Sequence, residues 1–194
     1  MVIGVTGGIG CGKSTVSAII SKKLNAPILD ADKIAKDAMH SKEIVTKLCN
    51  FFSKDIFDGS GNIDRKKVAN IAFSDQSKLK KLNGIIHPYV MKEIAEQINK
   101  LAFNNDFIIL DVPLPNDDFK KLCDYIITVW SDLDNRITRI KTRSNFSEDE
   151  IIARIKKQMP QEDYEALANC VIYNNGSIEE LNSKIDTTIS QITH

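Results

Sequence analysis

With 26 basic and 26 acidic side chains among 194 residues the formal net charge is zero, which argues against general nucleic-acid binding, since that needs a basic excess. The 42% apolar content suffices for a real core, the length suggests about one domain with room for an insertion, and no apolar run approaches the roughly 20 residues that span a bilayer. Cys11, Cys49, Cys123 and Cys170 make no C-x-x-C pair and the histidines no ligand cluster, so free thiols in a reducing cytoplasm are expected.

The chain opens on Val2-Ile3-Gly4-Val5-Thr6, short, apolar and rich in β-branched residues, as a buried strand should be. No basic leader precedes it. Gly7-Gly8-Ile9-Gly10-Cys11-Gly12-Lys13-Ser14 follows, continued by Thr15, and meets the pattern G-x-x-x-x-G-K-[ST] at every fixed position. Residues 13 to 24 then show helical apolar spacing through Val16, Ile19, Ile20 and Leu24. Strand, glycine loop and helix in that order make a nucleoside triphosphate site. The glycines let consecutive N–H groups turn inward around phosphate oxygens, and the helix N-terminus adds unsatisfied donors and partial positive charge. The candidate ATP ligands are Gly8, Ile9, Gly10, Cys11, Gly12, Lys13, Ser14 and Thr15. Lys13 can reach the β- and γ-phosphates, and the Ser14 hydroxyl can ligate Mg²⁺. Cys11, at a helix N-terminus beside Lys13, is expected to have a lowered pKa and to react with alkylating agents unless ATP protects it.

Pro27-Ile28-Leu29-Asp30 reads as a second strand and residues 31 to 39 as a helix. Asp30-Ala31-Asp32 bears on the acceptor. A phosphate acceptor needs arginines and no base. An alcohol benefits from a carboxylate that binds its O–H, aligns the oxygen with the γ-phosphate and takes the proton late. Strand alternation would put both aspartates on one side, but the helix starting here rotates them apart. Asp30 is therefore assigned to the helix cap and Asp32 to the acceptor.

Residues 42 to 102 read as helices without a strand, a helical insertion between the second and third strands. They hold a helix over 42 to 52, a turn at Asp58-Gly59-Ser60-Gly61-Asn62, a helix capped by Asp64, and a long helical pattern over 74 to 101 that Pro88 should kink or split. Phe107-Ile108-Ile109-Leu110-Asp111 is the third strand, and its terminal aspartate is expected to face Mg²⁺ through water. A proline-rich link and a short helix to about 122 lead to the fourth strand, Tyr125-Ile126-Ile127-Thr128-Val129-Trp130.

Arg136, Arg139 and Arg143 fall at i, i+3 and i+7 on one face of a helix over 133 to 143. Above a triphosphate site they suit a mobile lid that brings arginines onto the transferring phosphate. Ser147 and Glu150 have capping-box spacing for a helix to 158. Cys170-Val171-Ile172-Tyr173 is the fifth strand, Asn174-Asn175-Gly176 a turn, and 177 to 189 a closing helix. The alternation implies an α/β fold of the P-loop NTPase type, with a parallel five-stranded sheet flanked by helices. Its core is expected over 1–41, 103–130 and 169–194, the insertion over 42–102 and a helical lid over 131–168. The guanine-reading N-K-x-D pattern is absent, which lowers the GTPase reading. A nucleoside monophosphate kinase or a nucleotide-dependent switch would also fit the loop.

Residues Thr6 to Thr15, Asp30-Ala31-Asp32, Ile85-Ile86-His87-Pro88, Asp111-Val112-Pro113-Leu114, the Arg139/Arg143 pair, Gln158 and Val171-Ile172-Tyr173-Asn174-Asn175-Gly176 together resemble the dephospho-CoA kinase family, in order and over nearly the whole chain. The resemblance implies transfer of the ATP γ-phosphate, with Mg²⁺, to the ribose 3′-hydroxyl of dephospho-CoA, the last step of coenzyme A synthesis. It implies that the insertion binds CoA, that Asp32 is the base and that Arg139 and Arg143 are lid arginines. It places His87, with Pro88, at the opening of a helix that meets the substrate, and Asn175 in the loop near the adenine. The expected partner is a small molecule, with no nucleic acid or membrane, and the expected state a cytoplasmic monomer with at most weak self-association. Two departures stand out. The family usually continues Pro-Leu-Leu and then a glutamate, where this chain has Pro113-Leu114-Pro115-Asn116-Asp117-Asp118, and Asp117 is left out of the site. The family usually has Ala-Asp before its last strand, where this chain has Ala168-Asn169.

Overall fold

The computed structural model describes residues 1–52, 54–59, 63–73 and 75–193. Ser60, Gly61 and Asn62 of the expected turn, and Ser74 at the expected start of the long helix, lie outside the described residues. The strands are β1 (Val2–Thr6), β2 (Ile28–Asp30), β3 (Ile108–Asp111), β4 (Tyr125–Trp130) and β5 (Cys170–Tyr173). The helices are α1 (Lys13–Leu24), α2 (Ala31–Ala38), α3 (Lys42–Phe52), α4 (Arg65–Phe73), α5 (Gln76–Ala102), α6 (Asp117–Leu122), α7 (Leu133–Lys141), α8 (Glu148–Lys156), α9 (Gln161–Leu167) and α10 (Ile178–Thr193).

The chain divides into two compact units, residues 1–30 with 97–194, and residues 31–96. The first holds one parallel sheet in the order β2-β3-β1-β4-β5. Its central strand β1 pairs Val5 with Asp111 on one side and Thr6 with Thr128 on the other. Ile3, Val5, Ile109, Ile127, Val129 and Ile172 supply the sheet's share of the core, and Val16, Ile20, Leu181 and Ile185 of α1 and α10 cover it. Fully burying one such side chain contributes roughly 1.5–3 kcal/mol. Gly4 lets α6 close on β1, because a Cβ there would come within 2.6 Å of Phe119 and Cys123. Tyr164 of α9 is fully buried, donating its hydroxyl to the Pro113 carbonyl at 2.9 Å. Asn169 accepts the Ile126 N–H at 2.8 Å through Oδ1. That acceptor role is one an aspartate would fill equally, so the Ala-Asn departure keeps its function.

In the second unit Ile44, Leu48, Phe52, Ile56, Ile63, Val68 and Leu82 form a separate core. Asp64 caps α4, its Oδ1 accepting the N–H groups of Lys66 and Lys67 at 2.9 and 3.2 Å. The one departure from all-helical structure among its described residues is an isolated bridge between Phe57 and Ile63. The unit begins at Ala31, so α2 is grouped with it, and it ends at Glu96 inside α5 rather than at 102.

Pro88 does not split the long helix, since α5 runs through it as one element. The carbonyl that proline leaves without a donor is that of Gly84, four residues back, which is exposed to solvent. α9 was not expected; its signal is Pro160 at the cap with Glu162 and Asp163 in the first turn. The capping box of Ser147 and Glu150 forms as read.

Candidate active site

The phosphate loop joins β1 to α1 with three glycines at positive φ, Gly7 at 149°, Gly10 at 81° and Gly12 at 93°. Side chains rarely adopt these angles. Space excludes them too, because a Cβ on Gly7 would strike the Val129 carbonyl and one on Gly12 the Asn174 side chain. The N–H groups of Thr15 and Val16 both donate to Gly12 O, at 3.0 and 3.1 Å, so α1 grows directly out of the loop. α1 has no side-chain cap and no acidic residue in its first turn. Its positive dipole end is therefore not neutralised by a side chain and suits an anion.

Lys13, the first residue of α1, pairs with Oδ1 of Asp111, and Ser17 donates to Oδ2 at 2.9 Å. Asp111 is only 5% exposed, and a buried carboxylate without such partners would be costly. The sheet also sets Asp30, at the end of β2, beside Asp111. Ser17 was missed in the sequence, although it stands at i+4 from Lys13 on the same helical face. Ser14 is exposed in the same first turn. Its hydroxyl and the Asp111 carboxylate are hard oxygen donors. Among the described residues no group of three or more His, Cys, Asp or Glu could hold a metal unaided. A sparse oxygen set beside a phosphate site fits Mg²⁺, which keeps several waters and shares ligands with substrate phosphates.

The arginine helix is arranged differently from a single phosphate-facing stripe. Arg136 is 4% exposed and turned in under the loop. Its Nε donates to Ile9 O at 2.9 Å, its Nη2 to Gln158 Oε1 at 3.3 Å, and its guanidinium lies 4.8 Å from the Trp130 ring. Gln158 Oε1 also accepts the Ile9 N–H at 2.8 Å. Ile9 itself packs against Ile137, Ile140 and Ile151, so α7 and α8 grip the loop through an apolar cluster. The Ile9 amide is thus committed to Gln158, whereas the sequence counted Ile9 among the ATP ligands. Arg139 donates to Asn174 O at 2.8 Å, to Ser131 Oγ at 3.1 Å and to the carbonyls of Gly10 and Cys11 at 3.4 Å. Arg139 and Arg143 line a cavity of about 210 Å³ with Gly12, Thr15, Asn174 and Gly176. Ser177, Ile178 and Leu181 complete it.

Asn175 is not part of that lining. Its Oδ1 accepts from Ser131 Oγ at 2.8 Å and from Asp132 N at 2.9 Å, tying the turn after β5 to the end of β4. The neighbouring Asn174 does line the cavity, and its Nδ2 donates to Cys11 O at 2.9 Å.

The expectation for Cys11 is corrected. The thiol is fully buried in the main core. Burial raises its pKa and outweighs the lowering by Arg136, the Ser131 and Gly8 backbone and Arg139. The arginines still favour the thiolate, but desolvation of the buried sulfur is the larger effect. Iodoacetamide should therefore leave Cys11 unmodified in the native protein and label it after denaturation, as read by peptide mass spectrometry. Labelling of Cys11 at the same rate in both states would contradict this.

Two expected site residues belong to the second unit. Asp32 is exposed in the first turn of α2, where the helix dipole favours a negative charge. His87 is half-buried inside α5, not at a helix opening, because α5 has already run from Gln76. Asp117 is the first residue of α6, behind an Asn116 cap whose Oδ1 accepts the Phe119 N–H at 2.9 Å.

A sequence model of the dephospho-CoA kinase family matches residues 1–180. The chain belongs to the dephospho-CoA kinase family. A dephospho-CoA kinase from Carboxydothermus hydrogenoformans is 41% identical over 193 residues, covering 98% of this chain and 93% of the relative. Another, from Fusobacterium nucleatum, is 41% identical over 187 residues, covering 96% and 95%. A solved dephospho-CoA kinase from Campylobacter jejuni superposes with a TM-score of 0.72 at 26% identity, covering 98% of this chain and 96% of that one. A crystal structure from Thermus thermophilus reaches 0.84 at 32% identity, over 100% and 98%. A shikimate kinase from Acinetobacter baumannii, at a TM-score of 0.55 and 13% identity over 99% and 92%, shares the fold alone. The dephospho-CoA kinase family thus accounts for the P-loop kinase fold of the whole chain.

Proposed function

We propose that this protein transfers the γ-phosphate of ATP to the ribose 3′-hydroxyl of dephospho-CoA, giving CoA and ADP. One observation carries the reading: an uncapped helix N-terminus and a Lys13–Asp111 pair close the phosphate loop in a chain that matches this family over residues 1–180. The amides of Gly10, Gly12, Lys13 and Ser14 bind phosphate oxygens, while those of Cys11 and Thr15 donate to the carbonyls of Gly8 and Gly12. Lys13 moves from Asp111 to the β- and γ-phosphates. Ser14, with Asp111 through water, would hold Mg²⁺, which draws negative charge from the β- and γ-oxygens. The adenine enters the cavity beside Asn174, Gly176 and Ile178, with Arg139 fixing its floor through Asn174.

Asp32 receives the proton of the 3′-hydroxyl and aligns its oxygen with the γ-phosphorus. The Asp-Ala-Asp run supports this, because β2 ends beside Asp111 and Asp32 follows two residues later. The helical unit binds the rest of dephospho-CoA, with His87 as one contact, and residues 131–168 form the lid. Arg143 meets the charge that develops on the transferred group. Among the described residues no helix is long and apolar enough to cross a membrane. The enzyme works as a cytoplasmic monomer on a small molecule, without a nucleic-acid or membrane partner.

A panel of acceptors tests the reading. ADP release, followed by a coupled assay, should be stimulated by dephospho-CoA and left at its basal rate by AMP, CMP and dTMP. Stimulation by a monophosphate alone would point to a nucleoside monophosphate kinase. Slow hydrolysis indifferent to every acceptor would point to a nucleotide switch.

A further inference from the structure

We propose that Arg136 and Gln158 are positioning residues that hold the phosphate loop in its ATP-ready shape by gripping the two peptide groups that flank Ile9. Both polar atoms of this residue are taken. Gln158 Oε1 accepts its N–H at 2.8 Å, and Arg136 Nε donates to its carbonyl at 2.9 Å. Arg136 Nη2 then donates to the same Gln158 oxygen at 3.3 Å, which closes a ring of three hydrogen bonds around Ile9.

The place of the clip explains its use. Gly7, Gly8 and Gly10 surround Ile9, and glycine has the most backbone freedom to lose on ordering. Ile9 is the one residue among them with a side chain to anchor, and that side chain is half-buried against Ile137, Ile140 and Ile151. Arg136 is itself held by packing, with its backbone against Gly10 and its guanidinium over Trp130. A cation that is 4% exposed, bonded to neutral oxygens and a ring, is costly to bury. A loop set in place before ATP arrives is a function that can offset this, since preorganisation raises affinity. With the backbone on both sides of Ile9 held, the course of the loop into α1 is set before phosphate arrives. The clip acts on ATP affinity and not on the acceptor, because the backbone it holds is that of the phosphate loop.

The test is a double-substitution cycle. Gln158→Leu and Arg136→Met should each weaken ATP binding by about tenfold in calorimetry, the scale of one lost charge-assisted hydrogen bond. The KM for dephospho-CoA and kcat at saturating ATP should change little. Both residues grip the backbone of Ile9 and bond each other, so the double variant should lose little more than either single one. Trp130, the only tryptophan, reports the same event. ATP should change its emission more in Gln158→Leu than in the wild type, where the loop is already set. Unchanged ATP affinity, fully additive losses, or equal emission changes would overturn the proposal. Should the variants fail to fold, amide exchange in the nucleotide-free wild type decides it. A protected Ile9 amide supports the clip, and exchange at the unprotected rate refutes it.

Discussion

Replacing Asp32 with asparagine should lower kcat by about 10²- to 10⁴-fold, the span a positioned general base contributes. Asparagine keeps the shape of the side chain and one acceptor oxygen, so the 3′-hydroxyl can still be held. It cannot take the proton, and the loss should therefore fall on kcat and not on either KM. ATP binding should be spared. The phosphate loop, Asp111 and the 210 Å³ cavity are all built from residues 1–30 and 97–194, whereas Asp32 belongs to the unit of residues 31–96. The measurement is steady-state turnover alongside calorimetric ATP binding. Near-normal turnover would remove Asp32 from the mechanism, and lost ATP binding would reassign it to the nucleotide.

Replacing Lys13 with methionine should cost activity and stability together, for different reasons. If Lys13 meets the β- and γ-phosphates as proposed, losing its ammonium should reduce kcat by about 10²- to 10³-fold, as removing one transition-state donor does elsewhere. The same change leaves Asp111 without its cation, and the carboxylate is buried, with a side-chain exposure of 8%. Breaking a buried pair from one side costs on the order of 3 kcal/mol, because the remaining charge stays desolvated. Adding Asp111→Asn should restore much of the stability in urea unfolding, since the stranded charge is gone. It should not restore turnover. If the double variant regained activity, Lys13 would act only as a structural partner for Asp111.

Much of the fold was legible because local chemistry and global architecture agree. β1 and β4 are continuous apolar runs buried on both faces, and their ends match the sequence reading residue for residue. The glycine loop is legible for a stricter reason, since three of its positions demand positive φ. The misreadings come from what periodicity cannot carry. A helical wheel puts Arg136, Arg139 and Arg143 on one face but does not say what lies opposite. Here the partner of Arg136 is a loop peptide 127 residues away, and Gln158 meets Ile9 across 149 residues. Cys11 failed in the same way: the helix terminus was visible in sequence, the depth of the sulfur was not. Asn174 and Asn175 are adjacent and chemically identical, yet one lines the cavity and its neighbour ties two strand ends together. Only the turn's geometry separates them. Pro88 does not end α5, and Gly84, whose carbonyl it leaves without a donor, is exposed to solvent.

The most direct measurement is the fate of the γ-phosphate when the purified protein is given ATP, Mg²⁺ and dephospho-CoA. Phosphorus NMR and mass spectrometry of the product should show one new phosphomonoester on the ribose 3′-oxygen, formed in step with ADP. Inorganic phosphate without a phosphorylated acceptor, or a phosphate carried elsewhere on the acceptor, would contradict the account.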